Sequence, residues 1–221
     1  MNLAEFNLIN EEFFSAEVSP KQFDLLLAGG WRHFGQHFYR YNLGLLKDTF
    51  RFVVPLRIRL RDFKFSKSKK RILRKNSDLQ TVIRPVEFDE QKHELFERHK
   101  QRFDHGIPDS IYSFLDPEAA TIPCQTLEFC VYQNKKLLAV SYLDIGEESV
   151  SSVYAMFEPG ESKRGLGIYT MLLEIQYAIE NGKTYYYQGY AYEGVSFYDY
   201  KKQFNALERY DWYGNWVDFT E

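Results

Sequence analysis

The sequence predicts an α+β fold: a mixed sheet flanked by helices over residues 86–221, joined to a smaller N-terminal subdomain of strands and helices over residues 1–85. Three observations carry this expectation. Residues 127–157 hold three β-rich runs in succession, residues 168–179 change to a helical hydrophobic period, and residues 184–192 return to strand, so a sheet must bury one face against that helix. At 221 residues with 44% apolar content, the chain is long enough for one well-cored unit and too apolar for a disordered, collagen-like or coiled-coil class. No internal repeat, low-complexity tract or linker divides it.

In chain order, Ser19 is placed as the N-cap of a first helix, with Pro20 at the first helical position and Gln22 as its capping-box partner. Phe23, Leu25, Leu26 and Leu27 follow, and Gly29-Gly30 ends the helix. Aromatic residues recurring around Gly35 over residues 31–41 read as a short strand or hairpin, and Gly44 reads as a turn. Residues 50–60 alternate, placing Val54, Leu56, Ile58 and Leu60 on one face and Arg57, Arg59 and Arg61 on the other. A short helix is expected over residues 66–76, capped by Ser66 or Ser68, with Ile72 and Leu73 as its apolar anchors. Residues 89–103 form a further helical pattern in which His99 is a packing or surface residue. The breakers Gly106, Pro108, Pro117 and Pro123 make residues 104–123 a long connection. Residues 127–132 and 136–143 pair as a hairpin through Gln133-Asn134-Lys135, and residues 151–157 form the third strand. Ile168, Met171, Leu172, Ile175, Ala178 and Ile179 then step as an amphipathic helix ending at Asn181-Gly182.

Charge is unevenly distributed. The totals are 28 Lys and Arg against 31 Asp and Glu, yet residues 57–75 hold ten bases and one acid, Asp62, leaving 18 bases against 30 acids elsewhere. An acidic body with one basic block fits a face that meets phosphates; the alternative is a solvated strand and helix. No apolar run approaches the roughly 18 to 20 residues that span a bilayer, and residues 1–6 lack signal-peptide design, so secretion and membrane insertion are not expected. Cys124 and Cys130 make neither a CxxC pair nor a disulfide framework, which suits a reducing cytoplasm.

The succession of a strand at 151–157, the turn Arg164-Gly165-Leu166-Gly167, a helix and a strand at 183–189 is similar to the acyl-binding core of the Gcn5-related N-acyltransferase fold. In that fold the glycine turn exposes backbone N–H groups at a helix N-terminus, which attract an anion. The position three residues before Gly165, Gln or Arg in that family, is Ser162 here, which disfavours coenzyme A.

A narrower resemblance covers roughly residues 19–212. Gly30-Trp31-Arg32-His33-Phe34-Gly35 with Tyr39, Pro55-Leu56-Arg57-Ile58 with Asp62-Phe63, and Ser66-Lys67-Ser68-Lys69-Lys70-Arg71 lie in the N-terminal half. SSVYAMFEP at 151–159, Leu166-Gly167, Gly189-Tyr190, Tyr200-Lys201, Phe204-Asn205 and Glu208-Arg209 follow. These blocks resemble, in order, the arginyl-tRNA and bacterial leucyl-tRNA protein transferases. The resemblance implies transfer of an amino acid, arginine or leucine, from a charged tRNA to the α-amine of a protein N-terminus, usually Asp or Glu. The implied partners are aminoacyl-tRNA and a protein or peptide N-terminus, with no DNA, membrane or cofactor.

On this resemblance Arg57, Arg59, Lys67, Lys69, Lys70, Arg71 and Arg74 are the tRNA-binding candidates, holding acceptor-arm phosphates. Lys201 grips the acceptor peptide, and Arg209 assists it or forms a surface ion pair with Glu208. Glu193 or Asp199 takes the proton of the acceptor ammonium, with Glu193 preferred. Tyr187, Gln188 and Tyr190 orient the ester or pack the strand; Tyr200 borders Lys201; Gly165 and Gly167 form the anion turn; Arg32 and His33 approach the tRNA end or fix a hairpin. The family's cysteine cluster between the Tyr39 and Pro55 blocks is missing, so an apolar hairpin is expected in its place and no metal is expected. Asp199 stands where bacterial relatives carry Lys, which opens a neutral or basic acceptor as an alternative. Glu174 and Gln176 appear in the opposite order to the Gln and Glu of those relatives. An acetyl-CoA-dependent N-acetyltransferase and a non-catalytic tRNA-binding relative are the competing functions.

Overall fold

The computed structural model describes residues 7–46, 49–103 and 106–220; the start at residues 1–6, and Asp104 and His105 at the head of the expected connection, lie outside the described residues. The N-terminal elements are β1 (Asn10–Phe14), α1 (Pro20–Ala28), β2 (Arg32–Phe34), β3 (His37–Tyr41), β4 (Leu43–Leu46), β5 (Thr49–Arg59), α2 (Lys67–Lys75) and β6 (Gln80–Pro85). They are followed by α3 (Glu90–Lys100), β7 (Thr126–Gln133), β8 (Lys136–Ile145), β9 (Ser149–Phe157), α4 (Leu166–Glu180), β10 (Tyr185–Tyr192), β11 (Leu207–Tyr210) and β12 (Trp216–Asp218).

Local chemistry sets most boundaries. At α1 the Ser19 side chain accepts from the Gln22 N–H while the Gln22 side chain accepts from the Ser19 N–H, closing the expected capping box. The Ser66 and Asp89 side chains cap α2 and α3 by accepting from the N–H groups of Lys69 and Lys92, without the reciprocal bond. The β7–β8 hairpin turns through Asn134 and Lys135, both at positive φ, as a two-residue turn matching strand twist requires. Gly44 is not a turn: it lies inside β4, where a Cβ would come 2.9 Å from the Tyr192 ring. β4 and the start of β5 form the apolar hairpin expected in place of the cysteines, pairing Leu43 with Phe52 and Leu45 with Phe50. The short strands β1, β6, β11 and β12 have no counterpart in the sequence reading.

The strands of the large sheet run β12-β11-β5-β10-β9-β8-β7-β6, with β4 added to β5. β5 and β6 precede residue 86, so this sheet is continuous across residues 85 and 86. β9 and β10 are its parallel pair, joined by α4 as a crossover, while the other pairings are antiparallel. One face packs on α4 through Leu56, Ile58, Phe129, Leu143, Leu172, Ile175 and Tyr186. The opposite face of β7–β9 packs on α3 and the following connection through Leu95, Phe96, Ile111, Val140 and Tyr142. Beneath α3, Lys92 and Glu128 are fully buried and paired at 3.1 Å, with Arg84 closing on the same carboxylate at 2.7 Å. A second sheet, β1-β3-β2, and α1 build a smaller core with Phe23, Leu27, Phe38 and Tyr187. Among the described residues no helix is long and apolar enough to cross a membrane.

Candidate active site at the β9–β10 opening

β9 and β10 pair over only three positions, ending at Tyr187 opposite Ser151, and then part. Two irregularities drive them apart. On β10, Tyr187 pairs with Arg57 and Gly189 with Leu56, leaving Gln188 as an extra bulged residue, and Gly189 takes φ +86°. On β9, Ser152 pairs with Leu143 and Tyr154 with Tyr142, leaving Val153 extra. A gap between two parallel strands, with its backbone groups released from pairing, is thereby built into the middle of the sheet.

Two cations converge on the β10 side of this gap. A Cβ at Gly189 would stand 3.3 Å from both Arg32 Nη2 and Lys201 Nζ and would crowd them, and the positive φ there favours glycine. Arg32, on β2, is buried and donates to the Ser151 hydroxyl and the Ser152 carbonyl. Lys201 lies in a 3-10 turn, Asp199–Gln203, and its ammonium donates to the Tyr190 carbonyl at 2.9 Å and lies 4.9 Å from the Tyr198 ring. Among the described residues neither forms an ion pair. Burial, with repulsion from Arg32, lowers the Lys201 pKa from 10.5 to about 7.

An acid lies on the α4 side. Glu174 is fully buried, and its Oε2 accepts from the Tyr186 hydroxyl at 2.6 Å. Burial raises its pKa to about 7 against the opposing hydrogen bonds of neighbouring hydroxyls. The Ser141 and Ser152 hydroxyls border the Glu174 carboxyl, and both amide atoms of the buried Gln188 have no partner. Sequence reading noted Glu174 only for its order with Gln176 and not as a site residue, although its position three residues after Met171 and four before Ala178 puts a carboxylate on the apolar stripe of α4.

The remaining expected residues are distributed as follows. Tyr190 points its hydroxyl to the Gly30 carbonyl at 2.7 Å and contributes to the gap through its own carbonyl. Tyr187 packs on Trp216 and accepts from Arg57, away from the opening. His33 is buried between Phe23 and Phe38, with Nδ1 2.8 Å from the Gly35 carbonyl and Nε2 2.8 Å from Asp144; it fastens β2 to β8. Asp199 turns away from Lys201, accepting from Lys202 at 2.8 Å and from Ser196, and these contacts hold its pKa below the usual carboxylate range. Glu193 is exposed at the end of β10, Tyr200 lies beside Lys201 at the surface, and Arg209 is exposed. Glu208 is not its partner: strand alternation sends Glu208 inward to Arg57 and Arg59. Gly165 takes φ +68° as the N-cap of α4, and a Cβ at Gly167 would come 3.1 Å from the Phe157 ring.

The basic block divides in two. The expectation of three guanidinium groups on an open strand face is corrected, because Glu208 of the adjacent strand β11 and the rings of Tyr185 and Trp216 occupy that face. Arg57 is 8% exposed, paired with Glu208 at 2.7 Å and sandwiched by Tyr185 and Trp216, while Arg59 binds Asp62, Glu208 and Asp218. Lys69 is likewise turned inward, its ammonium 4.0 Å from the Phe204 ring and its pKa lowered by burial. Lys67, Lys70, Arg71 and Arg74 remain exposed on α2. Ile72 and Leu73 anchor α2 against the α4 core, and Asn76 donates to the Arg164 carbonyl at 3.1 Å, so the cationic helix ends beside the Gly165 turn.

One group among the described residues has metal-ligand chemistry: His33, Cys124 and Asp144, all buried, with ligand atoms within 4.8 Å of one another. Its polar atoms already engage each other, Thr126 and the Gly35 carbonyl.

Comparison with known proteins gives the family and the fold. Residues 90–211 match the family described as "Arginine-tRNA-protein transferase, C terminus". The chain is 31% identical over 204 residues to an aspartate/glutamate leucyltransferase of Saccharophagus degradans, covering 89% of this chain and 84% of that protein. It is 29% identical over 199 residues to the enzyme of the same name from Hahella chejuensis, covering 87% and 82%. In fold it resembles the crystal structure of FemX, with a TM-score of 0.51 at 13% identity; the match covers 86% of this chain but less than two thirds, 65%, of FemX. The mixed sheet with its parted parallel strands is the Gcn5-related N-acyltransferase-like architecture expected from the sequence.

Proposed function

The chain belongs to the arginine-tRNA-protein transferase family, and on that footing we propose that it moves an aminoacyl group from the 3′ ester of a charged tRNA to the α-amine of a protein or peptide N-terminus. The acceptor nitrogen attacks the ester carbonyl, a C–N bond forms, the C–O bond to the ribose breaks, and the ribose oxygen leaves with a proton. Such aminolysis needs two substrates held together, an ammonium deprotonated and a developing oxyanion stabilised.

The observation that carries the reading is the Arg32–Lys201 pair, two enclosed cations without an acid between them, held at the mouth of a strand opening. A carboxylate restores the charge balance there, which selects an acceptor beginning with Asp or Glu. The name of the relatives, aspartate/glutamate leucyltransferase, points to the same acceptors and to leucine as donor. Asp199 is no obstacle to an acidic acceptor, because Lys202 and Ser196 engage its carboxylate. Glu193, exposed just beyond, receives the acceptor's proton through water. The tRNA acceptor arm lies along Lys67, Lys70, Arg71 and Arg74 of α2, which lead to the first backbone N–H groups of α4 at Leu166 and Gly167.

The test is mass spectrometry of peptides beginning with Asp, Glu, Lys, Arg, Ala or Ser after incubation with the protein, total tRNA, synthetases and amino acids. A leucine-sized gain on the Asp and Glu peptides is the expected result. A gain confined to the basic or neutral peptides removes the acidic-acceptor assignment. An acetyl-sized gain with acetyl-CoA supplied instead identifies an acetyltransferase.

A further inference from the structure

Two cations attract any small anion; neutral donors placed beside them add a shape. Arg32 and Lys201 each have a tyrosine at their side. Arg32 and Tyr39 are directly opposed on β2 and β3, so their side chains leave the same face as a close cross-strand pair. Burial raises the Tyr39 pKa to about 12, and the neighbouring Arg32 guanidinium offsets part of that rise. The Lys201 ammonium stands 4.9 Å from the Tyr198 ring, and Tyr198 is 39% exposed.

Other tyrosines around the opening spend their hydroxyls inside the fold: Tyr186 on Glu174, Tyr187 on Arg57, Tyr190 on the Gly30 carbonyl, and Tyr41 and Tyr192 on each other. Among the described residues, the hydroxyls of Tyr39 and Tyr198 bond to no protein group. Both rings are nevertheless fixed. Tyr39 is held by Phe34 at 5.5 Å, Tyr41 at 5.9 Å and the upright ring of Tyr190 at 6.1 Å. Tyr198 leans at 5.9 Å on Tyr192, whose own ring lies flush against Gly44. The arrangement is one oriented phenol for each cation, and both phenols are half-buried or exposed, within reach of a ligand.

We propose that Tyr39 and Tyr198 are specificity-determining residues of the acceptor site, donating their hydroxyl protons to the side-chain carboxylate of an N-terminal Asp or Glu held by Arg32 and Lys201; this rests on the transfer reading above. A carboxylate offers two oxygens with about four lone-pair sites, enough for two cations and two phenols together. A side-chain amide in the same place presents its NH2 to four donors and is rejected.

The test compares peptides beginning with Glu, Asp or Gln on the wild type, Tyr39→Phe and Tyr198→Phe, with affinity read by calorimetry and leucyl transfer from leucyl-tRNA by steady-state kinetics. The wild type should favour the Glu and Asp peptides over Gln. Loss of either hydroxyl should raise KM for the acidic peptides about tenfold while kcat holds. The constants for the Gln peptide and the melting temperature should stay in place, because no bond within the fold is lost. Equal wild-type affinity for the Glu and Gln peptides overturns the proposal. So does an unchanged KM, a KM shift of the same size for Gln as for Glu, or a melting temperature lowered in both variants. A Glu-over-Gln preference in binding that falls in both variants, with no transfer to any peptide, keeps the carboxylate site and removes the reaction assigned under the proposed function.

Discussion

Replacing Lys201 by Met should stabilise the protein while disabling it. The ammonium is enclosed, its nearest charge is the repulsive Arg32, and burial lowers its pKa from 10.5 to about 7. At about 1.4 kcal/mol per pH decade this corresponds to about 4–5 kcal/mol of destabilisation when the lysine is charged. Water reaching the partly exposed side chain reduces the expected value to about 2 kcal/mol. The sign follows from proton counting. Below pH 7 both folded and unfolded chains carry the proton, so the whole cost is present. Between pH 7 and 10.5 the unfolded chain binds more protons, so wild-type stability rises relative to Lys201→Met until the difference closes. Glu174 titrates near the same pH but is common to both proteins and cancels in the comparison. Urea or thermal denaturation of the two proteins at pH 6 and pH 10 measures the effect: Lys201→Met should melt about 4–8 °C higher at pH 6 and nearly level with wild type at pH 10, and it should lose transfer to acidic peptides. A variant destabilised equally at both pH values refutes the argument, because Lys201 would then stabilise the fold by packing rather than being held against its charge for a ligand.

The basic helix and the buried arginines should respond in opposite ways. Changing Lys67, Lys70, Arg71 and Arg74 together to Ala should leave the melting temperature in place and weaken tRNA binding several-fold at moderate salt. The slope of log affinity against log salt should flatten by about 3; an unchanged slope takes α2 out of the tRNA contact. Glu208→Ala strands Arg57 in its aromatic sandwich and should cost about 3–5 kcal/mol in urea denaturation. A loss below about 1 kcal/mol would mean that Arg57 finds solvent and is open to tRNA after all.

What the sequence disclosed depended on how local the cause was. α1, the β7–β8 hairpin and α4 follow from caps, a two-residue turn and a helical period, all contained within a few residues. β1 and β6, with sequences NEEFF and QTVIRP, are half-polar edge strands whose partners lie far away, and nothing within them distinguishes strand from loop. Alternation correctly put Arg57 and Arg59 on one face of β5 but could not say that β11 would pair beside it and set Glu208 on the same face, since Glu208 is 151 residues from Arg57. Lys69 was indistinguishable from Lys67 and Lys70 by composition, yet one helical position turned it onto Phe204. Lys201 was legible through its motif, whereas its neighbour Arg32 becomes meaningful only when β2 is laid across the parted strands. Glu174 was visible as an acid on an apolar stripe, and that pattern break was the available signal.

The place of β5 bears on how the protein can be made. A ribosome releases β5 early, with its three arginines and its long edge exposed, but its flanking strands, β10 and β11, come from the last fifth of the chain. Until they emerge, the strand that will sit inside the sheet has only its hairpin partner β4 beside it, and Arg57 lacks Glu208. Prematurely terminated chains therefore carry an unprotected, adhesive strand, and splitting the gene into two separately expressed halves would leave each without a closed sheet. Arg32 and Lys201 likewise lie far apart along the chain, so the two cations meet only once residue 201 has been made.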